Sequence, residues 1–257
     1  MKKYLMGLCA IFVAANMVFA ADMSLDDLIN KIQGNQKKIK DMYAETTTKI
    51  TSNLQLTTDN KSKVQTMTQK GKMWTKGEDK SKIEMLSPMK QVTITNGDKM
   101  AIINSDTGQK MIQDLKKMRE KSGMGDSSKQ MSLEKAKDFF NLSTTKKGDD
   151  YVITGIPRQQ SKFLGKMEFY VDSEKWVPVK ILMYDAKGKV MSQSVIEYQK
   201  ILIPYSEAPS MARSEGVWVP VKNRSNVVTP AGKMEIEMVF SNVKINQGMN
   251  DREFKID

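Results

Sequence analysis

Histidine is absent from the whole chain of 257 residues, and the single cysteine, Cys9, lies in an apolar stretch near the N-terminus. Each absence excludes a class of chemistry. Without histidine there is no Ser-His-Asp or Cys-His nucleophilic machinery, no common zinc site and no side chain that ordinarily titrates near neutral pH. With no cysteine after residue 9, disulfides and thiolate ligands are excluded from the rest of the chain. Long blocks of like charge are also missing. The formal charge of +11 is compatible with anionic membrane surfaces or acidic partners, or with a plain lysine-rich surface, since Asp and Glu are interspersed. No basic, aromatic-interleaved motif points to nucleic acid.

The first twenty residues have the pattern of an export signal. Lys2 and Lys3 precede an apolar run from Leu5 to Ala15, and Val18-Phe19-Ala20 supplies a cleavage site. The run is shorter than the ~20 residues a membrane span requires. Cys9 follows Leu8 rather than a small residue, which argues against lipid attachment. The expected organisation is a signal peptide over 1–20 and a single domain over 21–257, exported to the periplasm and monomeric, with insertions near 116–131 and 203–217.

Ser24 opens an amphipathic pattern in which Leu25, Leu28, Ile29, Ile32, Ile39, Met42 and Tyr43 predict a helix of roughly five turns. Strand signals then dominate. Thr46–Leu56 and Lys63–Thr75 alternate and are rich in β-branched residues, Pro88 ends the next strand, and Asn96-Gly97 marks a tight hairpin. Between Met111 and Phe140 the spacing turns helical, with the loop Ser122–Ser128 inside it and Ser132 capping a short helix. Strands resume at Tyr151–Gly155, Gly165–Val171, Trp176–Tyr184 and Val190–Ile201. The fold class is therefore mainly β, with a few helices.

An internal repeat reinforces this reading. Trp176-Val177-Pro178-Val179-Lys180 recurs as Trp218-Val219-Pro220-Val221-Lys222, and 188–201 aligns without gaps on 232–245. It predicts two hairpins of a meander performing the same structural job.

No nucleophile with a plausible base emerges, so the chain is expected not to be an enzyme and to need no cofactor or metal. Asp149-Asp150 and Asp26-Asp27 read as turn and cap carboxylates. Alternating apolar positions instead nominate a surface: Met73, Trp74, Ile83, Met85, Val92, Ile94, Met100, Ile102, Phe169, Val171, Met234, Ile236, Met238 and Phe240. These form either a core beneath the helices or the lining of an apolar binding cavity. Methionine's flexible, polarizable thioether suits a surface that re-packs around different ligands. Met111, Leu115, Met118, Leu133, Phe139 and Phe140 are the candidate lid, with Gly123 and Gly125 as hinges or as ordinary loop glycines.

The order of these features resembles the periplasmic outer-membrane lipoprotein carrier and lipoprotein-sorting family. Gly71-Lys72-Met73-Trp74 resembles the family's glycine-to-tryptophan strand, Pro88 with Asn96-Gly97-Asp98-Lys99 its proline and following hairpin, and Phe254 its closing phenylalanine. The resemblance implies an open antiparallel half-barrel whose concave apolar face is covered by helices. It further implies lipoprotein acyl chains or another lipid as cargo, with membrane-bound donor and acceptor proteins. A second function of the same fold, a lipid-responsive periplasmic sensor, stays open. The family's latch arginine aligns with Gly77, which cannot serve, leaving Lys76 as a partial substitute.

Overall fold

The computed structural model describes residues 23–54, 64–117, 133–159, 164–203, 216–229 and 232–256. The expected export signal over 1–20, the loop Ser122–Ser128, Met118, and most of the expected insertions near 116–131 and 203–217 lie outside these residues. Ser24 caps helix α1 (Leu25–Gln36), accepting a hydrogen bond from the Asp27 N–H at 3.1 Å. Acidic Asp26 and Asp27 sit in its first turn, where they complement the helix dipole.

The helix is shorter than its apolar spacing predicts. Ile39, Met42 and Tyr43 are not helical, because β1 (Asp41–Leu54) begins there and is hydrogen-bonded on both sides. Twelve further strands follow: β2 (Gln65–Lys76), β3 (Lys80–Ser87), β4 (Gln91–Asn96), β5 (Lys99–Asn104), β6 (Lys110–Asp114), β7 (Phe140–Lys147), β8 (Asp150–Pro157), β9 (Lys166–Asp172), β10 (Pro178–Tyr184), β11 (Val190–Leu202), β12 (Gly216–Thr229) and β13 (Gly232–Ile245). A short α2 (Leu133–Phe139) precedes β7, and a 3-10 turn, Asp251–Phe254, ends the chain.

All strands join one antiparallel sheet in the order β6-β5-β4-β3-β2-β1-β13-β12-β11-β10-β9-β8-β7. The first and last strands in sequence meet at its centre, and every other neighbour is a hairpin partner. Paired residues share a face, while successive residues alternate. One rung therefore runs Met67–Ile50–Ile236–Ser225–Ser194–Ile181–Phe169–Ile153 across most of the sheet on a single face.

Helix α1 lies on this face at the β7–β9 side, packing Leu28 and Ile32 on Ile153 and Val171. A Lys137–Asp26 ion pair ties α2 to the start of α1. The opposite face carries the C-terminal segment. Phe254 is fully buried there against β3 and β4, the Asn96 side chain donates to its carbonyl at 3.2 Å, and Lys82 pairs with Glu253 at 2.9 Å.

The repeat folds as two successive hairpins, β10–β11 and β12–β13. The shared pentapeptide produces the same irregularity twice. Val179 is skipped between the pairs Pro178–Val171 and Lys180–Tyr170, and Val221 between Tyr198–Pro220 and Glu197–Lys222. Proline has no N–H to give the ladder, which suits it to a bulge. Before the second bulge β12 is apart from β13: residues 216–220 pair with β11 alone, and pairing with β13 starts at Lys222. Asn35 of α1 occupies the open edge, its amide donating to the Trp218 carbonyl at 2.9 Å and its oxygen accepting the Trp218 N–H at 3.1 Å. The fully buried Val217 and Val219 fill the split together with Ile245.

Candidate functional site

The nominated residues separate by face. Met73 pairs with Ile83, and the rung continues through Thr93 and Ile102 to Met111. Met85, paired with Gly71, and Met100, paired with Thr95, stand on the same side. Met234, Ile236, Met238 and Phe240 pair with Ser52, Ile50, Thr48 and Thr46 of β1, which places them there too. Phe169 and Val171 share this face but pack beneath α1 in the core around Leu28 and Ile32.

Trp74, Val92 and Ile94 do not belong to that surface. Trp74 follows Met73 on one strand and must point the other way. It pairs with Lys82, which pairs with Ile94, and Val92 pairs with Glu84, so all three are on the face that carries the C-terminal segment. Trp74 packs on Tyr43 with ring centroids 5.3 Å apart, and the Lys82 ammonium sits 4.7 Å from the indole. Period-two alternation sends Met73 and Trp74 to opposite faces, so one lining cannot include both.

The lid expectation is also corrected in part. Met111 is in β6, not on a helix; its helical spacing with Leu115 is overridden by pairing with β5. Leu115 is buried just after that strand. Met118 lies outside the described residues, and Leu133 opens α2. Phe139 ends α2 with its side chain exposed, and Phe140 begins β7. Two members of the methionine face went unnominated, Met67 and Ile50, although stepping back by twos from Met73 reaches Met67.

Several local features hold this surface. Gly71 is required by close approach: a Cβ there would lie 2.6 Å from the Glu84 carbonyl oxygen. Gly77, with φ of +61°, turns the chain between β2 and β3. Lys76 reaches the Met249 carbonyl at 2.8 Å and Asp251 at 2.9 Å, so it fastens the C-terminal segment on the opposite face. It does not act over the apolar surface. Asp41, almost fully buried, accepts the consecutive N–H groups of Gln247, Gly248 and Met249 at 2.9–3.1 Å, anchoring the same segment.

The buried polar group with the densest partners is Glu168, also on the opposite face. Tyr184, Tyr170 and Lys166 donate to it at 2.8, 3.2 and 3.0 Å. Burial works against its charge, but the Tyr184 and Lys166 hydrogen bonds and the Lys166 and Lys147 charges lower its pKa to about 2. Burial and the adjacent carboxylate push the Tyr184 hydroxyl up to about 12. Asp150 is raised by burial and by the neighbouring Asp172 and Asp149. Glu168, Lys166, Tyr170 and Tyr184 form one hydrogen-bonded group, whereas Asp150 is repelled by its neighbouring carboxylates.

Grooves open on the described surface, two of them beside elements already named. One of about 560 Å³ lies beside α1, lined by Met23, Asp27, Asn30, Lys31 and Tyr151. The other, about 460 Å³, runs between the ends of β11 and β13 and includes Phe240. The methionine face itself is open: Met67, Ile83 and Met111 are each more than two-fifths exposed. Its chemistry is that of an apolar, deformable surface with alternating threonine hydroxyls from β1 and β4.

No family model and no curated protein matches this sequence. Solved structures match its fold. A DUF1329 family protein from Desulfovibrio piger superposes with a TM-score of 0.60 at 16% identity, over 89% of this chain and 95% of that one. A LolA superfamily protein from Nitrosomonas europaea gives 0.54 at 12% identity, over 91% and 99%. A putative outer membrane lipoprotein-sorting protein domain from Vibrio parahaemolyticus gives 0.52 at 14% identity, over 88% and 95%. The chain has a LolA-like fold, in agreement with the resemblance drawn from the sequence.

Proposed function

We propose that this protein is a periplasmic carrier that binds lipid or lipoprotein acyl chains on the methionine face and shields them during transfer toward the outer membrane. The observation that carries this reading is a continuous apolar face on an open sheet, supplied by β1–β6 and β13. Its lining is Met73, Ile83, Met85, Met100, Ile102, Met234, Ile236, Met238 and Phe240, with Met67 and Ile50 added. Acyl binding needs no reactive group, only apolar area. Each methylene removed from water contributes about 0.8 kcal/mol, so a few chains suffice for firm retention.

The N-terminal export pattern and the poor lipid-attachment context at Cys9 support a diffusing periplasmic protein. Membrane-bound donor and acceptor proteins complete the cycle, and the carrier works as a monomer. Its cover is formed around Leu115, α2 and Phe140, whose tie to α1 through Lys137 and Asp26 is exposed and easily broken.

The test is native mass spectrometry of protein isolated from the periplasm, paired with titration of a fluorescent acyl probe. Copurifying lipid and saturable probe uptake are expected. Protein that carries no lipid and takes up no probe overturns the reading. Stable capture of an inner-membrane regulatory protein instead of lipid would replace it with the sensor function.

A further inference from the structure

The antiparallel order sends the turns of the sheet alternately to two ends. At one end lie the β3–β4, β5–β6 and β10–β11 turns, the end of β8 and the starts of β2, β7 and β13. At the other lie the β2–β3, β4–β5, β7–β8 and β9–β10 turns. The two ends differ in chemistry.

The first end gathers exposed apolar side chains: Val64, Leu86, Met89, Phe139, Ile156 and Val190, with Met89 66% exposed. Among the large exposed hydrophobics described, Leu202 alone lies at the other end. The turns and strand ends of the first end carry exposed Lys90, Lys110, Arg158, Lys187 and Lys189. In its turns the acids are engaged locally: Asp106 lies 3.8 Å from Lys90, and Asp185 accepts the Lys187 and Lys189 N–H groups, while Asp138 stands exposed beside Phe139. The turns of the second end carry Glu78, Asp79, Asp98, Asp149 and Glu174 with Lys175, and its strand ends carry Lys76, Lys80, Lys99 and Lys147 beside Asp114, Asp150 and Asp172, so acids and bases are mixed there.

We infer that the first end docks on an anionic lipid surface, its lysines meeting lipid phosphates and its exposed apolar residues entering the interface. The pairing of exposed apolar tips with surrounding cations is what such a surface selects, because apolar burial and attraction to anionic headgroups add. The second end mixes acids with lysines and exposes few large apolar side chains, so the first end is the one such a surface selects. This inference does not depend on what the methionine face binds.

The experiment is cosedimentation of the purified protein with vesicles of phosphatidylcholine alone or with about one-third phosphatidylglycerol, a content at which polybasic attraction is strong. Binding to the anionic vesicles is expected, with little to the neutral ones, and weakening as salt rises. Lys187→Glu with Lys189→Glu should reduce partitioning at least tenfold, and Met89→Ser severalfold. The charge-matched control, Lys99→Glu with Lys255→Glu at the second end and C-terminus, should reduce it far less. Acyl-probe uptake and thermal unfolding measured on each variant separate loss of docking from loss of cargo binding or folding. Equal losses in the two double variants, absence of vesicle binding, or concentration-dependent self-association without vesicle binding would each overturn the inference.

Discussion

Two buried carboxylates perform different jobs on the same face of the sheet. Asp41 gathers three backbone N–H groups from a segment more than two hundred residues later. Glu168 gathers two tyrosine hydroxyls and a lysine from its own strand β9 and the neighbouring β10. A pH dependence follows for Glu168. Its folded pKa of about 2 lies below the ordinary 4.5, so its charge stabilises the fold above the ordinary value. That contribution is lost as pH falls from near 4.5 through about 2. Glu168→Gln should lower stability at neutral pH by up to about 3 kcal/mol. The difference from the unsubstituted protein should shrink on acidification, as read by urea unfolding at a series of pH values. A difference that is constant with pH would mean that packing, not charge, is what Glu168 supplies.

At the scale of elements, the repeated Trp-Val-Pro-Val-Lys segment encodes a bulge rather than a plain strand. Skipping Val221 sets the face on which 216–220 stand, and so buries Val217 and Val219 completely. Deleting Val221 should slide these residues by one position and turn both valines outward. The loss should be about 3 kcal/mol or more at roughly 1.5–3 kcal/mol per valine. Val221→Ala, which keeps the extra residue, should cost far less. Denaturant midpoints compare the two; equal effects would show that the bulge does not set the register. The repeat was visible as matching letters, but the bulge depends on which residues the neighbouring strands present and was not.

Elements were otherwise legible where hydrogen bonding is local. A tight hairpin forms at the Asn96-Gly97 signal, but one residue later than the signal implies: Asn96 pairs with Lys99, so Gly97 and Asp98 are the turn residues and Gly97 alone of the pair Asn96-Gly97 takes positive φ, at +59°. The Ser24 cap forms as predicted. The predictions that failed concern Ile39–Tyr43 and Met111, where apolar spacing fits both periods. Non-local strand partners decided those positions: β2 and β13 for β1, and β5 for β6.

For the whole molecule, the decisive property is that one sheet has two unlike faces. Met73→Asp with Met238→Asp places charges on the half-buried methionine face and should weaken acyl-probe binding at least tenfold. Trp74→Ala, one residue away on the opposite face, should leave probe affinity nearly unchanged while lowering stability by about 3 kcal/mol, as for a packed aromatic. Probe titration and thermal unfolding distinguish these outcomes. If Trp74→Ala abolishes uptake while the methionine variant binds normally, the cargo face has been assigned to the wrong side.

Composition and pattern alone determined that the chain is mostly strand, that it holds a repeated hairpin, and that histidine and thiol chemistry are excluded after residue 9. These follow from residue identity and from contacts between neighbours in sequence. Only the tertiary structure decided which of two alternating faces stays open. The alternation of Met73 and Trp74 is symmetric until something covers one side, and the cover comes from far along the chain. Phe254, held through Asp41, Lys76, Lys82 and Asn96, closes the Trp74–Ile94 side. Leu28 and Ile32 of α1 close the β8–β9 side of the other face. What remains exposed is the methionine surface, because burial depends on partners that pairing in space brings together and sequence distance conceals.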